Sequence, residues 1–403
     1  MLGVLVASLP WGSVSGQTDG VSPLSGPEQE FLERHWRQPL PPQGRPPARF
    51  SPIERSLSPA DCGTCHPVQF ADWRTSIHAK TMGPGVAGQL VEMARTDPAS
   101  ARTCPSCHAP LAEQSAELRR AREWVANPAF DPALRQQGVV CASCHVRGHQ
   151  RFGPPRRDGT VGDLTPRGRL PHNGVTRSPV YLRSEFCASC HQFAPNGLAL
   201  NGKPLQNTYE EWRQSPAAAR GLQCQDCHMP DRRHLWRGIH DPEMVRSAVE
   251  ISLATERARH APGDELRATL TVANTGVGHF FPTYVTPRVA VRMELVDSAG
   301  ASIPGSIEER AIAREVPPDL SREISDTRIA PGGRLEVMYR RRIERAGLVL
   351  RATVTVYPDH FYTGFFEALL AQGAGAGTSQ IRGALAATRS SSFVIFSEAR
   401  ELR

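Results

Sequence analysis

Apolar and polar residues change rhythm near residue 246. Beyond that point "LRATLTVANTG", "RVAVRMELVDSAG", "RLEVMYRRRI" and "LRATVTVY" alternate apolar with polar positions, separated by turn signals such as Pro331-Gly332-Gly333. Successive side chains of a strand point to opposite faces, so a period of two gives each strand one buried and one solvated face. The region predicts an antiparallel β-sandwich of roughly one hundred residues, the size of an Ig-like module. A short helix is expected around "FYTGFFEALL", then a flexible Gly/Ala stretch, then a last strand in "SSFVIFSEAREL".

Before residue 246 there is little strand pattern. Helical spacing occurs in "GVAGQLVEMAR" (residues 85–95) and "SAELRRAREWVAN" (residues 115–127), between loops rich in Gly and Pro such as "RFGPPRRDGTVGDLTPRGRLPHNG". A polar arm containing "RQPLPPQGRPPARFSP" is expected to be extended. The apolar run Leu2 to Leu9, followed by small residues, predicts a signal peptide and is too short to span a bilayer. No later segment reads as transmembrane. The expected division is a signal peptide at 1–17, an extended arm at 18–57, a loop-rich, mainly helical domain at 58–245 and a β-sandwich domain with a C-terminal helix and strand at 246–403. The fold class is α + β, multidomain. "FADWRTSIHA" (Phe70 to Ala79) echoes "YEEWRQSPAA" (Tyr209 to Ala218), with Trp73/Trp212 and Ser76/Ser215 aligned and Ala217 in the place of His78. Ten residues are too few to establish a repeat.

Composition sharpens the reading of the first domain. Aromatic residues make up only 6% of 403 residues, a thin supply for a core of this size. All ten cysteines fall in CxxC pairs, each followed by histidine: Cys62/Cys65/His66, Cys104/Cys107/His108, Cys141/Cys144/His145, Cys187/Cys190/His191 and Cys224/Cys227/His228. A zinc ribbon, a dithiol redox centre or structural disulfides would not require that histidine. Chance placement of five such neighbours has a probability on the order of 10⁻⁸, whereas CxxCH is the attachment signature of c-type haem. Two thiols at this spacing add to the two vinyl groups of one porphyrin, and the next residue sits under the iron. Five covalent c-type haems are therefore expected, and they would supply the missing apolar core.

The haems also change the meaning of the charge. The formal net charge of +7 would suit an anionic partner. Ten haem propionates against five ferric cores would leave the oxidised holoprotein at roughly +2. No nucleic-acid signal remains, and the expected partners are redox proteins that donate and accept electrons.

Removing the five motif histidines leaves His35, His78, His149, His172, His234, His240, His260, His279 and His360. A six-coordinate, low-potential haem needs a second axial ligand, most often histidine, while methionine (Met82, Met93, Met229 or Met244) would raise the potential. His149 lies four residues after His145, too close to reach the far side of its own haem, so it would serve a neighbour. His234 and His240 are six residues apart, about 240° around a helix, and would address two different haems. His279, in "GVGHFFPT", lies at a strand end where a loop could project it toward the haem domain. His172, in "RLPHNG", is its rival for a fifth position. His35, His260 and His360 have no supporting context.

"CGTCHPVQFADWRTSIHA", "CPSCHAPLAEQ", "EFCASCHQF" and "YEEWRQSPAAARGLQCQDCHMP" resemble a family of bacterial multihaem cytochromes c, akin to the tetrahaem electron carrier of the hydroxylamine pathway and more distantly to pentahaem nitrite reductase. The likeness runs from about Ser58 to Asp241. It implies closely packed haems and distal ligation by His78 in the WxxSxHA stretch, by His149 after a CxxCH, and by His234 and His240 after CQxCHMP. An exported electron-transfer protein, periplasmic or extracellular, is the expectation. The alternative is an oxidoreductase acting on nitrite, hydroxylamine or a similar small oxidised species at one open haem. Against it, the CxxCK motif that commonly marks the catalytic haem of the nitrite reductases does not occur.

Overall fold

A computed structural model describes residues 21–162, 172 and 174–402. The expected signal peptide at 1–17 lies outside the described residues. The arm that follows departs from the expected extended form, because residues Gly26–His35 form a helix, α1. The Glu28 carboxylate accepts the Ser25 backbone N–H at 2.9 Å, satisfying a donor at the helix start, and Pro27 fits the first turn. Helix α1 buries Phe31 and His35 against Val180, Tyr181 and Phe186. The His35 Nε2–H donates to the Cys144 carbonyl at 2.8 Å, as does the Tyr181 hydroxyl at 2.6 Å. The arm is thus sewn onto the region that carries the CxxCH motifs.

Short helices punctuated by proline fill the next part of the chain. Pro59, Pro67, Pro84, Pro98, Pro105, Pro132, Pro216 and Pro242 each stand in the first turn of a helix, where a missing N–H costs nothing. Among these helices are α2 (Pro67–Thr75) and α3 (Pro84–Thr96), the latter covering the helix expected at 85–95. The second helical expectation, at 115–127, is corrected. Glu117–Arg120 and Glu123–Ala126 pair antiparallel around a turn at Ala121, whose φ is +53°. Arg102 decides the matter locally, since it pairs with Glu117 at 2.8 Å and lies over the Trp124 ring at 5.0 Å. Only Leu118, Trp124 and Val125 offered an apolar face, too little to hold a helix.

The longer strands of the chain begin at Val249. Eight strands follow: β1 (Val249–Thr255), β2 (Glu265–Asn274), β3 (Arg288–Val296), β4 (Glu308–Glu315), β5 (Ser325–Asp326), β6 (Arg334–Arg342), β7 (Val349–Tyr357) and β8 (Phe393–Glu401). They form two antiparallel sheets, in the orders β6-β2-β1 and β5-β4-β3-β7-β8. Alternate residues of both sheets enter one cluster: Leu266, Leu270 and Val272 from β2, Val289, Val291 and Met293 from β3, and Leu350, Val354 and Val356 from β7. Each such side chain, fully buried, contributes about 1.5–3 kcal/mol. The architecture is α + β.

Between β7 and β8 the chain leaves the sheets to make α5 (His360–Gln372) and α6 (Thr378–Arg389). The Gly/Ala stretch expected to be flexible is therefore mostly helix, because Ile381, Ala384 and Leu385 recur on one face and bury against Phe366. The pair packs onto α3, where a Cβ on Gly85 would stand 2.7 Å from Phe366 and one on Gly88 would stand 2.9 Å from Ile381. Glycine is the residue that admits this close approach.

A polar seam joins the two halves. Arg314, only 1% exposed, donates to the carbonyls of Leu200, Lys203 and Pro204 at 3.0, 3.0 and 2.8 Å and pairs with Glu323 at 2.8 Å. Lys203 pairs with Glu323 and Asp326 across the same seam. Glu211 of α4 (Thr208–Arg213) pairs with Arg328 at 2.8 Å, both side chains nearly inaccessible.

Candidate haem centres

Each CxxCH unit lies on a short helical turn. Cys141–His145, Cys224–His228 and the end of Glu185–His191 are α-helical; Pro105–His108 follows Cys104 directly, and the helix Pro59–Gly63 carries Cys62. Positions i, i+3 and i+4 share one side of such a turn, so two thiols and an imidazole face the same space. The five turns also touch one another. The helices that carry Cys62 and Cys141 are in contact, as are those that carry Cys107 and Cys190, and the Cys224 N–H donates to the Ser184 hydroxyl, three residues before Cys187, at 2.9 Å. The first motif thus meets the third, and the fourth meets both the second and the fifth.

Cys65 departs from this enclosed arrangement. It and Cys227 are exposed, whereas the other eight cysteines are half-buried. The helix that carries Cys62 ends at Gly63, and α2 starts at Pro67, so Cys65 stands at the corner between them. The Phe70 ring fills the space beside Gly63, where a Cβ would stand 2.7 Å away. The Cys65 Sγ is approached by the neighbouring Thr64 hydroxyl at 3.8 Å. The local turn is nevertheless kept, since the Cys65 and His66 N–H groups both donate to the Cys62 carbonyl, at 3.2 and 3.0 Å. Cys65 therefore keeps the spacing of a haem anchor at the solvent edge of its site, not in its interior.

Four motif histidines each face a second imidazole. Ring centres are separated by 6.5 Å for His66 and His172, 6.1 Å for His145 and His234, 6.3 Å for His191 and His78, and 6.3 Å for His228 and His279. Direct stacking would bring ring centres much closer. Two imidazoles on opposite sides of one iron would be about 6.3 Å apart, from metal–nitrogen bonds of about 2 Å and about 1.1 Å from nitrogen to ring centre. The interplanar angles, 20°, 35°, 75° and 6°, are free to differ, because axial rings can rotate about the metal–nitrogen bond.

Hydrogen bonding leaves the far nitrogen available. Nδ1 donates to the Thr81 carbonyl from His108 (2.9 Å), to Phe152 from His145 (2.8 Å), to Arg237 from His228 (2.6 Å), to Arg232 from His234 (3.1 Å) and to Phe280 from His279 (2.8 Å). This pattern fixes the tautomer and frees Nε2 as a ligand. Burial, joined by neighbouring imidazoles, pushes His78 down to about 3; burial also pushes His145 and His279 to about 4. The neutral ring is the form that binds metal. His191 is accessible yet deeply enclosed by protein, as a residue lining an internal crevice is. These features fit a flat prosthetic group held between paired imidazoles.

The remaining histidines are placed otherwise. His108 has no second imidazole facing it among the described residues. His149 is buried at φ +60°, and its Nε2–H donates to the Gly44 carbonyl of the arm at 3.0 Å. His240 is turned to Asp359 at 3.0 Å. Neither is brought opposite a motif histidine. His35 is a structural residue of the α1 contact, and His260 is buried apart from the motifs in the C-terminal region.

Sequence reasoning missed the residues that hold these rings. The Asp72 carboxylate takes two hydrogen bonds from Arg233, at 2.7 and 2.6 Å, and one from the His234 backbone N–H at 2.9 Å. Gly138, at φ +67°, lies so close to the His78 segment that a Cβ there would stand 2.6 Å from the His78 carbonyl. Trp236 stands edge-on between two facing rings, 5.0 Å from His234 and 4.7 Å from His78. Its φ of +42° is one that a bulky residue rarely adopts. The only available signal was that Asp72, Arg233 and Trp236 lie in stretches already notable for histidine and that Gly138 stands three residues before a CxxCH motif.

Residues 61–146 match the sequence profile of the family described as cytochrome c554 and c-prime. In structure the chain is similar to a penta-heme cytochrome c552 from Thermochromatium tepidum, with a TM-score of 0.61 and 19% identity over 87% of this chain and 99% of that one. A structural likeness at this identity shows the fold alone. An alkylpurine DNA glycosylase from Pseudomonas fluorescens, bound to DNA with an abasic-site analogue, aligns over 40% of this chain and 32% of that one at 11% identity, with a TM-score of 0.18 that carries no argument. No curated protein matches the sequence.

Proposed function

We propose that the chain is a multihaem c-type cytochrome, an exported electron carrier with five covalent haems, four held between two imidazoles and one by His108 alone. The observation that carries the reading is the set of four histidine pairs at the spacing of a shared iron. Bound haem supplies a one-electron couple; everything else falls to the polypeptide. The five CxxC pairs anchor the porphyrins. His66 with His172, His145 with His234, His191 with His78 and His228 with His279 would each hold one haem between two imidazoles, which would leave those four haems no coordination site for a substrate.

The contacts between motifs support a connected set. The first motif adjoins the third and the fourth adjoins the second and fifth. Trp236 links the third and fourth through His234 and His78. The structural relative named as a penta-heme cytochrome agrees with the count of five. Among the described residues no helix is long and apolar enough to cross a membrane. Covalent attachment of haem in bacteria takes place outside the cytoplasmic membrane, which favours the periplasm or the cell exterior. On this reading residues 58–245 form the haem domain and 246–403 an Ig-like sandwich that contributes one ligand, His279.

The unpaired His108 favours a second reading, in which that haem binds a small oxidised substrate. Intact mass and haemochrome absorbance of the exported protein should give five haems per chain. The dithionite-reduced form should then bind one carbon monoxide per chain. Fewer than five haems would overturn the carrier as proposed, and carbon monoxide binding at none would overturn the haem held by His108 alone and the second reading with it.

A further inference from the structure

We infer that Asp72 and Glu211 are equivalent positioning residues, each an acidic clamp that sets the distal imidazole of one haem, and that they belong to an internal duplication. The inference rests on the bis-imidazole assignment above. Its starting point is the echo between "FADWRTSIHA" and "YEEWRQSPAA", in which Asp72 aligns with Glu211 and Trp73 with Trp212. Ten residues of similarity proved nothing alone. Three-dimensional contacts extend the correspondence well beyond them.

Each tryptophan donates its indole N–H to the carbonyl two residues before a CxxCH motif: Trp73 to Val139 at 2.7 Å, before Cys141, and Trp212 to Leu222 at 2.9 Å, before Cys224. The N–H groups of those same residues return to the echo, Val139 to the His78 carbonyl and Leu222 to the Ala217 carbonyl, both at 3.0 Å. His78 and Ala217 are the aligned pair. A glycine with positive φ precedes each, Gly138 at +67° and Gly221 at +79°. Both helices end alike, with the Ser76 N–H on the Trp73 carbonyl and the Ser215 N–H on the Trp212 carbonyl, each at 2.9 Å.

The acids then do equivalent work. Asp72, buried, pairs with Arg233 and accepts the backbone N–H of His234, whose ring faces His145 of the motif that Trp73 supports. Glu211, also buried, pairs with Arg328 and accepts the backbone N–H of Phe280, next to His279, whose ring faces His228 of the motif that Trp212 supports. Glu211 accepts the Thr283 hydroxyl as well, at 2.6 Å. In each copy one short helix therefore holds both sides of a haem: the proximal motif through tryptophan and the distal histidine through the acid. The second copy draws its distal segment from the C-terminal sheets, so the duplicated device also fastens the two halves together.

The test uses the full-length holoprotein and low-temperature EPR or magnetic circular dichroism. His234→Ala and His279→Ala first identify which low-spin signal belongs to each haem. Asp72→Asn should then shift or partly convert to high spin only the His234-dependent signal, and Glu211→Gln only the His279-dependent one. Asp72→Glu and Glu211→Asp, which keep the charge and exchange the acids found in the two copies, should stay closer to wild type. Amide variants that unfold at lower temperature while every haem signal is unchanged would reduce the acids to structural groups and overturn the inference. So would both amides disturbing the same signal. If His234→Ala and His279→Ala themselves leave the spectra unchanged, the ligation reading has failed, independently of the clamps.

Discussion

Replacing His279 with alanine is expected to convert one haem from low spin to high spin while the C-terminal sheets remain folded. The ring stands 6.3 Å from that of His228 and nearly parallel to it, at 6°. Its loop is also held by contacts that do not use the ring: the Asn274 side-chain amide donates to the His279 and Ile329 carbonyls, each at 3.1 Å, and the Asn274 side-chain oxygen accepts the Val277 N–H at 3.1 Å. Removing the imidazole would therefore remove the proposed ligand and one hydrogen bond to the Phe280 carbonyl while the rest of the loop stays anchored. The haem left with His228 alone should turn high spin and rise in potential, since the second imidazole favours the ferric state. EPR reads the spin state and far-UV circular dichroism reads the strands. His149→Ala and His240→Ala are the controls, because the structure turns those rings to Gly44 and Asp359; both should leave the spin states alone. An unchanged spectrum in His279→Ala would make His279 an ordinary loop residue.

The second large effect is expected at Arg314. Its guanidinium is almost fully buried and satisfies three carbonyls of the hairpin at residues 199–204 while pairing with Glu323. Arg314→Ala would strand those acceptors and leave the buried Glu323 carboxylate with Lys203 and Asn201. Breaking one partner of a buried pair typically costs about 3–5 kcal/mol. Lysine is a poor substitute, since one ammonium cannot reproduce the planar fork. Denaturant titration should show a loss of that size, with earlier proteolytic cleavage between the two halves. A loss below about 1 kcal/mol would mean that the seam contributes little and that His279 is held in place by other contacts.

Local rules made much of this legible. The five CxxCH units, the alternation of strands β2, β3, β6 and β7, and the prolines that open helices can all be read one short window at a time. Helix α1 was legible in principle too, from Ser25 and Glu28 three residues apart, but the prolines after it drew attention to extended chain. What short windows could not provide was facing. His149 and His234 each follow a CxxCH closely. The turn at Gly148 and His149, both with positive φ, swings His149 back onto the arm, whereas Asp72, 162 residues upstream, pins His234 toward His145. His279 and His172 read as rivals for one position, yet the fold sets each opposite a different motif histidine. The exposure of Cys65 was hidden for the same reason, because its motif is spelled like the other four and only the corner with α2 sets it apart. The echo around Trp73 and Trp212 shows the same limit, since its meaning lies in contacts with Val139 and Leu222 that no ten-residue window contains.

The central claim, four haems between paired imidazoles and a fifth on His108 alone, is tested most directly by quantitative low-temperature magnetic circular dichroism of the wild-type holoprotein. The pairing of rings predicts four bis-imidazole low-spin haems per chain and one haem of different ligation. Fewer than four bis-imidazole haems, or five, would contradict it.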